Sequence, residues 1–134
     1  MTLVRKNRTI LSIFITVVAI AFFTVQVSAS SYDSSGDFKV SMTSPWREFN
    51  ENNITIETWA TSSGTNYTIT DFTVKLQRKT WYGYTTVGTA TLPKEGYGKA
   101  TWTNVGAGTY RLYYSRANDG GLQKITKAHI YSYN

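Results

Sequence analysis

The chain has no cysteine and only two prolines among its 134 residues. Without cysteine it forms no disulfide, holds no thiolate-bound metal and cannot carry a lipid anchor on an N-terminal cysteine. Small exported domains often use disulfides because their cores are small, so an exported domain of this kind depends on packing alone. All four Trp and all ten Tyr residues lie after residue 29, and large aromatic side chains supply much burial per residue.

Groups for catalysis or metal binding are also scarce. The sequence has one histidine, His129, and eight Asp and Glu residues. His129 has the chemistry of a general base, but no nucleophile motif accompanies it, so we interpret it as a solvated strand residue. A single histidine does not make a zinc site, and the carboxylates are too scattered for calcium or for the facing pair of a glycosidase. We therefore predict no enzyme activity, no metal and no cofactor.

Long apolar runs are absent except at the start of the chain. There, three cations within residues 5–8 precede an apolar run from Ile10 to Val27, which ends in Val27-Ser28-Ala29. A basic head, an apolar middle and a small-residue exit are typical of a secretory signal peptide, which predicts cleavage after Ala29. The run is close to the lower limit for crossing a bilayer, so an uncleaved anchor is the alternative.

The rest of the chain is expected to form a flexible leader over residues 30–36 and one domain over residues 37–134. Export without cysteine is common in Gram-positive bacteria, so we expect a secreted, extracellular protein from such a source. Eleven cationic and eight acidic side chains after residue 29 leave a net charge near +3. This charge is too small to indicate a nucleic-acid partner, and we expect membrane contact only through the signal peptide before cleavage.

Residue patterns in this domain are those of β-strands. Residues 72–77 and 110–115 alternate between apolar and polar side chains, and clusters of Gly, Asn and Asp separate such runs. The alternation breaks between Val87 and Ala90, which predicts a bulge or a change of sheet near Gly88. Seven or eight short strands of this kind predict an all-β fold, a two-sheet antiparallel β-sandwich.

One segment carries a resemblance to known domains. Residues 104–112, Asn-Val-Gly-Ala-Gly-Thr-Tyr-Arg-Leu, resemble the turn into the penultimate strand of immunoglobulin-like and fibronectin-III-like domains. The resemblance implies a corner tyrosine at Tyr110 and a sandwich fold. It covers nine residues directly and the strand count loosely, and both cysteines of the immunoglobulin inter-sheet bridge are missing. A fold shared this widely does not specify a function.

Strand alternation also predicts one surface rich in cations and aromatic rings. In immunoglobulin-like order the strands around residues 75, 111 and 129 share a sheet, whose outer surface would carry Lys75, Arg111, Tyr113, Lys127, His129 and Tyr131. The adjoining segment adds Arg78, Lys79, Trp81, Tyr82 and Tyr84, with either the two tyrosines or the tryptophan facing solvent. We expect this surface to bind a ligand; the alternative is cross-strand pairing that only stabilises the sheet.

These patterns favour a secreted, non-enzymatic binding module for a cell-wall polysaccharide or an extracellular protein. Exposed rings stack on the flat faces of sugars, and Tyr, Trp and Arg are enriched in protein interfaces. A small secreted effector is the alternative: an antimicrobial protein, a toxin, or a protease inhibitor with a reactive loop at residues 62–66 or 93–98. A structural component of a matrix or coat is a further alternative, and a secreted enzyme is the least favoured class.

Overall fold

A computed structural model of the chain describes residues 30–64 and 71–134. The expected signal peptide lies outside these residues. The described part contains nine β-strands, and none of its residues forms a helix long and apolar enough to cross a membrane. In chain order the strands are β1 (Ser31–Phe38), β2 (Ser41–Thr43), β3 (Arg47–Phe49), β4 (Asn53–Ser63), β5 (Phe72–Thr80), β6 (Gly83–Leu92), β7 (Gly96–Trp102), β8 (Gly108–Ser115) and β9 (Leu122–Tyr133).

The strands form two antiparallel sheets. Sheet I has the order β1-β9-β4-β7, and sheet II has the order β2-β8-β5-β6, with β3 pairing β8 beside β2. The predicted all-β fold, a two-sheet antiparallel sandwich, is confirmed. The strand count exceeds the expected seven or eight because short strands such as β2 and β3 are too brief to show an alternating pattern.

The core lies between the two sheets and follows the predicted alternation. On β5 the inward side chains are Phe72, Val74 and Leu76, and all three are buried. Ile54 and Ile56 of β4 face them from sheet I. The largest buried side chains of β8 are Tyr110 and Tyr114, together with Leu112 between them.

The corner tyrosine implied by the resemblance is present. Tyr110 is fully buried, and its hydroxyl hydrogen is shared between the carbonyl oxygens of Val105 (2.6 Å) and Gly106 (2.7 Å). The turn bends through two left-handed residues, Asn104 (φ 55°) and Gly106 (φ 81°). A buried tyrosine that bonds back to the turn before its own strand is the arrangement found in immunoglobulin-like sandwiches.

The last strand departs from immunoglobulin order. There the last and penultimate strands are neighbours in one sheet, whereas here β9 pairs with β1 and β4 in sheet I and β8 belongs to sheet II. The expectation that all three patterned strands share one sheet is therefore wrong. Alternation within a strand identifies its buried side, and it contains no information about which strands lie beside it.

Residues 31–36, expected to belong to a flexible leader, lie in strand β1. Strand β1 pairs with β9, with Asp33 opposite His129. The ring of Tyr32 packs edge-on against Phe49 at 5.3 Å, and its hydroxyl donates to the Glu48 carbonyl at 2.9 Å. Serine and glycine have low strand propensity on their own, but pairing along a sheet edge and one anchored ring outweigh that preference.

The irregularity expected near Gly88 is a β-bulge. Leu76 pairs with Gly88 and Gln77 with Thr86, so Val87 is the extra residue and is 38% exposed. The indole of Trp102 occupies the space where a side chain at Gly88 would lie. Glycine is required here because any Cβ atom would overlap that ring.

Candidate functional site

The outer surface of sheet II gathers several of the expected site residues. Lys75 lies opposite Tyr113, and Lys79 lies opposite Tyr84. Directly opposed residues of an antiparallel pair project to the same side, so these four side chains share the surface that faces away from the core. Arg111 lies on the same side, two residues before Tyr113 on β8.

Arg111 is held between two aromatic rings at the centre of this surface. Its guanidinium carbon lies 4.4 Å from the ring centroid of Trp46 and 4.5 Å from that of Tyr84. The Nε–H donates to Oε1 of Gln77 at 2.9 Å. We call Trp46, Tyr84 and Arg111 the arginine stack. A guanidinium stacked on rings and fixed by one hydrogen bond has lost most of its rotamer freedom before any ligand arrives.

Gln77 is 4% exposed, although the alternation places it on the outer side. It lies opposite Arg111 in the register, and the stacked arginine covers its amide. The alternation predicts correctly that Gln77 lies on the outer side of the sheet. Gln77 is nevertheless buried because the longer side chain of Arg111 covers it.

A hairpin tip extends this surface at one end. Trp81 and Tyr82 form the two-residue turn between β5 and β6, with Thr80 paired to Gly83. Trp81 is 95% exposed and Tyr82 is 68% exposed. Their rings meet edge-to-face with centroids 5.2 Å apart. Both aromatic residues project into solvent because they form the turn itself. The sequence predicted exposure of either the two tyrosines or the tryptophan, and in the structure all three are exposed.

Lys79 joins the hairpin tip to the arginine stack. It is two residues before Trp81, and its Nζ lies 6.0 Å from the ring centroid of Trp46. Among the described residues, neither Lys75, Lys79 nor Arg111 forms an ion pair with a carboxylate. The surface therefore carries uncompensated positive charge next to exposed rings.

Arg78 belongs to the structural framework and not to this surface. Its guanidinium donates to the carbonyl oxygens of Val105 (3.2 Å) and Ala107 (2.9 Å) and lies 5.7 Å from the ring centroid of Tyr110. Lys79 points outward, so its neighbour on the strand points to the other side. The expectation that Arg78 takes part in binding is corrected: the side chain fastens the turn before β8.

Lys127, His129 and Tyr131 lie on the opposite surface of the molecule. They belong to β9 and project from sheet I, so the single patch expected from the sequence is divided between two outer surfaces. Nδ1 of His129 lies 2.6 Å from Oδ1 of Asp33, and this hydrogen bond lowers the pKa of the Asp33 carboxyl. No described hydroxyl group bonds to the His129 ring, which leaves the pair as a link between β1 and β9.

The surface of sheet I has its own aromatic group. Lys127 lies 5.4 Å from the ring centroid of Trp59, and Trp59 packs against Tyr97 at 5.3 Å. The Tyr97 hydroxyl donates to Glu57 at 2.6 Å, a bond that raises the pKa of the phenol. These side chains partner one another across strands, and this is the stabilising role that exposed aromatic residues have in many sheets.

Sequence patterns missed Trp46 at the centre of the sheet II surface. It follows Pro45 in a segment without alternation, and only its position beside β8 brings it to Arg111. Trp59 and Tyr97 were also not identified, although Trp59 alternates with the inward Thr58 and Ala60 on β4. That alternation was a usable signal for Trp59; for Trp46 the sequence contains none.

The described residues contain no group of three or more His, Asp or Glu side chains placed to hold a metal ion. Of the two loops expected for a protease inhibitor, the structure describes only the second, residues 93–98, in full. Residues 65 and 66 lie outside the described part, while the loop after β6 is tied to the body through Glu95, which accepts hydrogen bonds from the amide and hydroxyl of Ser62, each at 2.8 Å.

No protein-family model and no curated protein matches the sequence. Similar solved structures include Aeromonas hydrophila PliG, a periplasmic lysozyme inhibitor of g-type lysozyme, at 13% identity and a TM-score of 0.44, covering 81% of this chain and 91% of that one. The C-terminal CBM6 of LamC, a marine laminarinase from Zobellia galactanivorans, shares 17% identity at a TM-score of 0.44, covering 77% and 98%. The Yersinia pseudotuberculosis-derived mitogen shares 10% identity at a TM-score of 0.38, covering 80% and 86%. None of these likenesses supports the Gram-positive source expected from the sequence.

Proposed function

We propose that this protein is a secreted, non-enzymatic binding module that attaches to a cell-surface polysaccharide through the outer surface of sheet II and the hairpin tip. The observation that carries the proposal is the exposure of Trp81 and Tyr82, which project side by side from a turn. An indole exposed to 95% contributes little to the core and leaves a large apolar area in water. Such a side chain gains stabilisation only when a partner covers it.

The arrangement suits an extended polymer. Lys79 and Tyr84 lie next to the hairpin tip on β5 and β6, because Lys79 is two residues before Trp81 and Tyr84 is two residues after Tyr82. Sugar rings have flat apolar faces and a rim of hydroxyl groups, so aromatic side chains contact the faces while lysine and arginine donate to the rim. Export rests on the signal-peptide pattern of residues 1–29.

A protein partner is the second candidate. Trp, Tyr and Arg are the residue types that contribute most to protein interfaces. Trp81 and Tyr82 are exposed at the turn between β5 and β6, and Arg111 lies over the ring of Tyr84 on β6. A protein would also use these anchors, but it would need a larger matched contact area than an extended chain does.

The test is co-sedimentation of the exported protein, produced from the full-length chain with its own leader, on insoluble cell wall, chitin and cellulose. We expect retention on at least one matrix that survives high salt, since contacts between rings and sugars are not screened. Trp81→Ala should reduce retention roughly tenfold, the loss typical of a central aromatic anchor. Absence of retention on every matrix would contradict the polysaccharide proposal and leave the protein partner as the candidate.

A further inference from the structure

The donors of Arg111 are only partly used. An arginine side chain has five N–H donors in one plane, and the hydrogen bond to Gln77 occupies the one on Nε. The two terminal nitrogens have no hydrogen-bond partner among the described residues, and neither is a buried unsatisfied atom, so both reach solvent. The guanidinium carbon lies over the rings of Trp46 and Tyr84, and the terminal nitrogens remain accessible beside them.

Two other arginines, Arg78 and Arg116, are used differently. Both terminal nitrogens of Arg78 donate to backbone carbonyl oxygens. Arg116 is 8% exposed, and its terminal nitrogens donate to Asp119 and Gln123. Arg111 therefore differs from both, because it is oriented by its neighbours and yet has donors free to bind.

Charge around Arg111 favours an anion. Lys79 Nζ lies 6.0 Å and the Arg111 guanidinium carbon 4.4 Å from the ring centroid of Trp46, so two positive groups border the same ring. Glu48 of β3 lies along the same side of the sheet, but no described carboxylate comes within 4.0 Å of either cation. A bound anion would offset the repulsion between the two cations and would meet the free donors of the guanidinium.

We propose that the arginine stack is an anion site, and that the polysaccharide bound by the surface of sheet II is an acidic one. The site takes a carboxylate, sulfate or phosphate group edge-on to the Arg111 guanidinium, with Lys79 as a second positive charge. A planar guanidinium binds two oxygens of such a group at once, and this geometry is not available to a lysine. This inference rests on the proposed function, since the same surface is involved, and it names the class of polymer.

Each acidic polymer is compared with a neutral polymer of the same sugar, which separates the contribution of charge from that of contact with the sugar rings. The experiment measures binding of the exported protein to polygalacturonate against its methyl-esterified form, and to dextran sulfate against dextran. The first pair tests a carboxylate and the second a sulfate, with the neutral polymer as reference in each. We expect at least one acidic polymer to bind roughly tenfold tighter than its neutral match at moderate salt, as a charge-assisted, two-oxygen contact implies.

Two variants identify the residue responsible. Arg111→Lys keeps the positive charge and loses the planar pair of donors, so it should abolish most of the preference for the acidic polymer. Lys79→Ala should reduce the preference in part, and it serves as the second test if Arg111→Lys folds poorly, as judged by thermal unfolding. Lys127→Ala on the opposite surface removes one positive charge and should leave the preference unchanged.

Equal binding of acidic and neutral polymers, or a preference that Arg111→Lys and Lys79→Ala leave intact, would overturn the anion site. Retention that still depends on Trp81 in that case would leave the proposed binding function standing. Conversely, binding that is insensitive to Trp81→Ala and lost in Arg111→Lys would support the anion site and contradict the role given to the hairpin tip.

Discussion

Tyr110 holds the turn before β8 through one hydroxyl group that serves two backbone carbonyls. Its ring packs against Phe49 at 6.1 Å, so the side chain fills the core and ties down the turn at the same time. The Arg78 guanidinium bonds to the Val105 carbonyl in the same turn. The turn over residues 104–107 is therefore fixed relative to β8, the strand that carries Arg111.

Tyr110→Phe should lower the free energy of unfolding by about 1–2 kcal/mol, because it keeps the ring and removes the hydrogen that two carbonyls share. Urea unfolding followed by tryptophan fluorescence measures the change. Tyr133→Phe, at a tyrosine that is 37% exposed, is the matched control and should have no measurable effect. Equal stability of Tyr110→Phe and the parent protein would contradict the role given to the corner.

Gly88→Ala should destabilise the protein by about 1–3 kcal/mol, the usual cost of forcing a methyl group into a filled space. The added Cβ atom would overlap the indole of Trp102, so either the ring or the bulge must move. Thermal unfolding measures the loss, with the neighbouring exposed Thr89→Ala as control. A Gly88→Ala protein as stable as the parent would mean that Trp102 does not occupy this space.

At the scale of elements, a buried ion pair closes the connection between β8 and β9. Arg116 donates to Asp119 at 2.8 Å, and the backbone amide of Gly121 also donates to that carboxylate at 2.8 Å. Arg116 further donates to Gln123, whose own amide reaches the carbonyl oxygens of Thr61 (3.0 Å) and Lys94 (2.9 Å). Two connections, β6–β7 and β8–β9, are thus fastened to the end of β4.

This pair predicts a dependence of stability on pH. The hydrogen bond from Arg116 lowers the pKa of Asp119 below its ordinary value of 3.8. The stabilisation that this ion pair gives the folded protein is therefore present above that value, and it is lost as the pH falls through the pKa of Asp119 in the folded state. Asp119→Asn should lower the Tm at neutral pH, and the difference from the parent should narrow in acid. A difference that stays constant from neutral pH to about pH 2, or one shared by the exposed control Asp37→Asn, would contradict this assignment.

Alternation predicted strands β5 and β8 and which side of each is buried. The inward residues of β5 and β8 follow a strict period of two, and the structure buries them as expected. The alternation did not predict which strands pair with one another. Strand β9 joins sheet I, and β1 forms from residues of low strand propensity, because hydrogen bonds between segments distant in sequence decide both.

For the whole molecule, the two outer surfaces have different characters. On sheet I the exposed groups partner one another, as in the pairs Asp33 with His129 and Glu57 with Tyr97. On sheet II, Lys75, Lys79 and Arg111 form no ion pair with any carboxylate in the part of the chain that the structure describes, and Trp81 and Tyr82 of the hairpin tip are exposed. The sequence predicted the residue types of a binding surface but merged the two surfaces, because a period of two distinguishes inside from outside and not one outside from the other.

We propose that ligand binding takes place on the outer surface of sheet II and the hairpin tip. The most direct test of this proposal compares binding isotherms of two double variants on the polysaccharide that retains the parent protein. Trp81→Ala/Tyr82→Ala removes both rings of the hairpin tip, and Trp59→Ala/Tyr97→Ala removes two packed rings from the outer surface of sheet I. We predict that the first loses roughly tenfold or more in affinity while the second keeps the parent Kd. An unchanged affinity of the first variant for the polysaccharide, or an equal loss of affinity in the second, would contradict this placement of the binding surface.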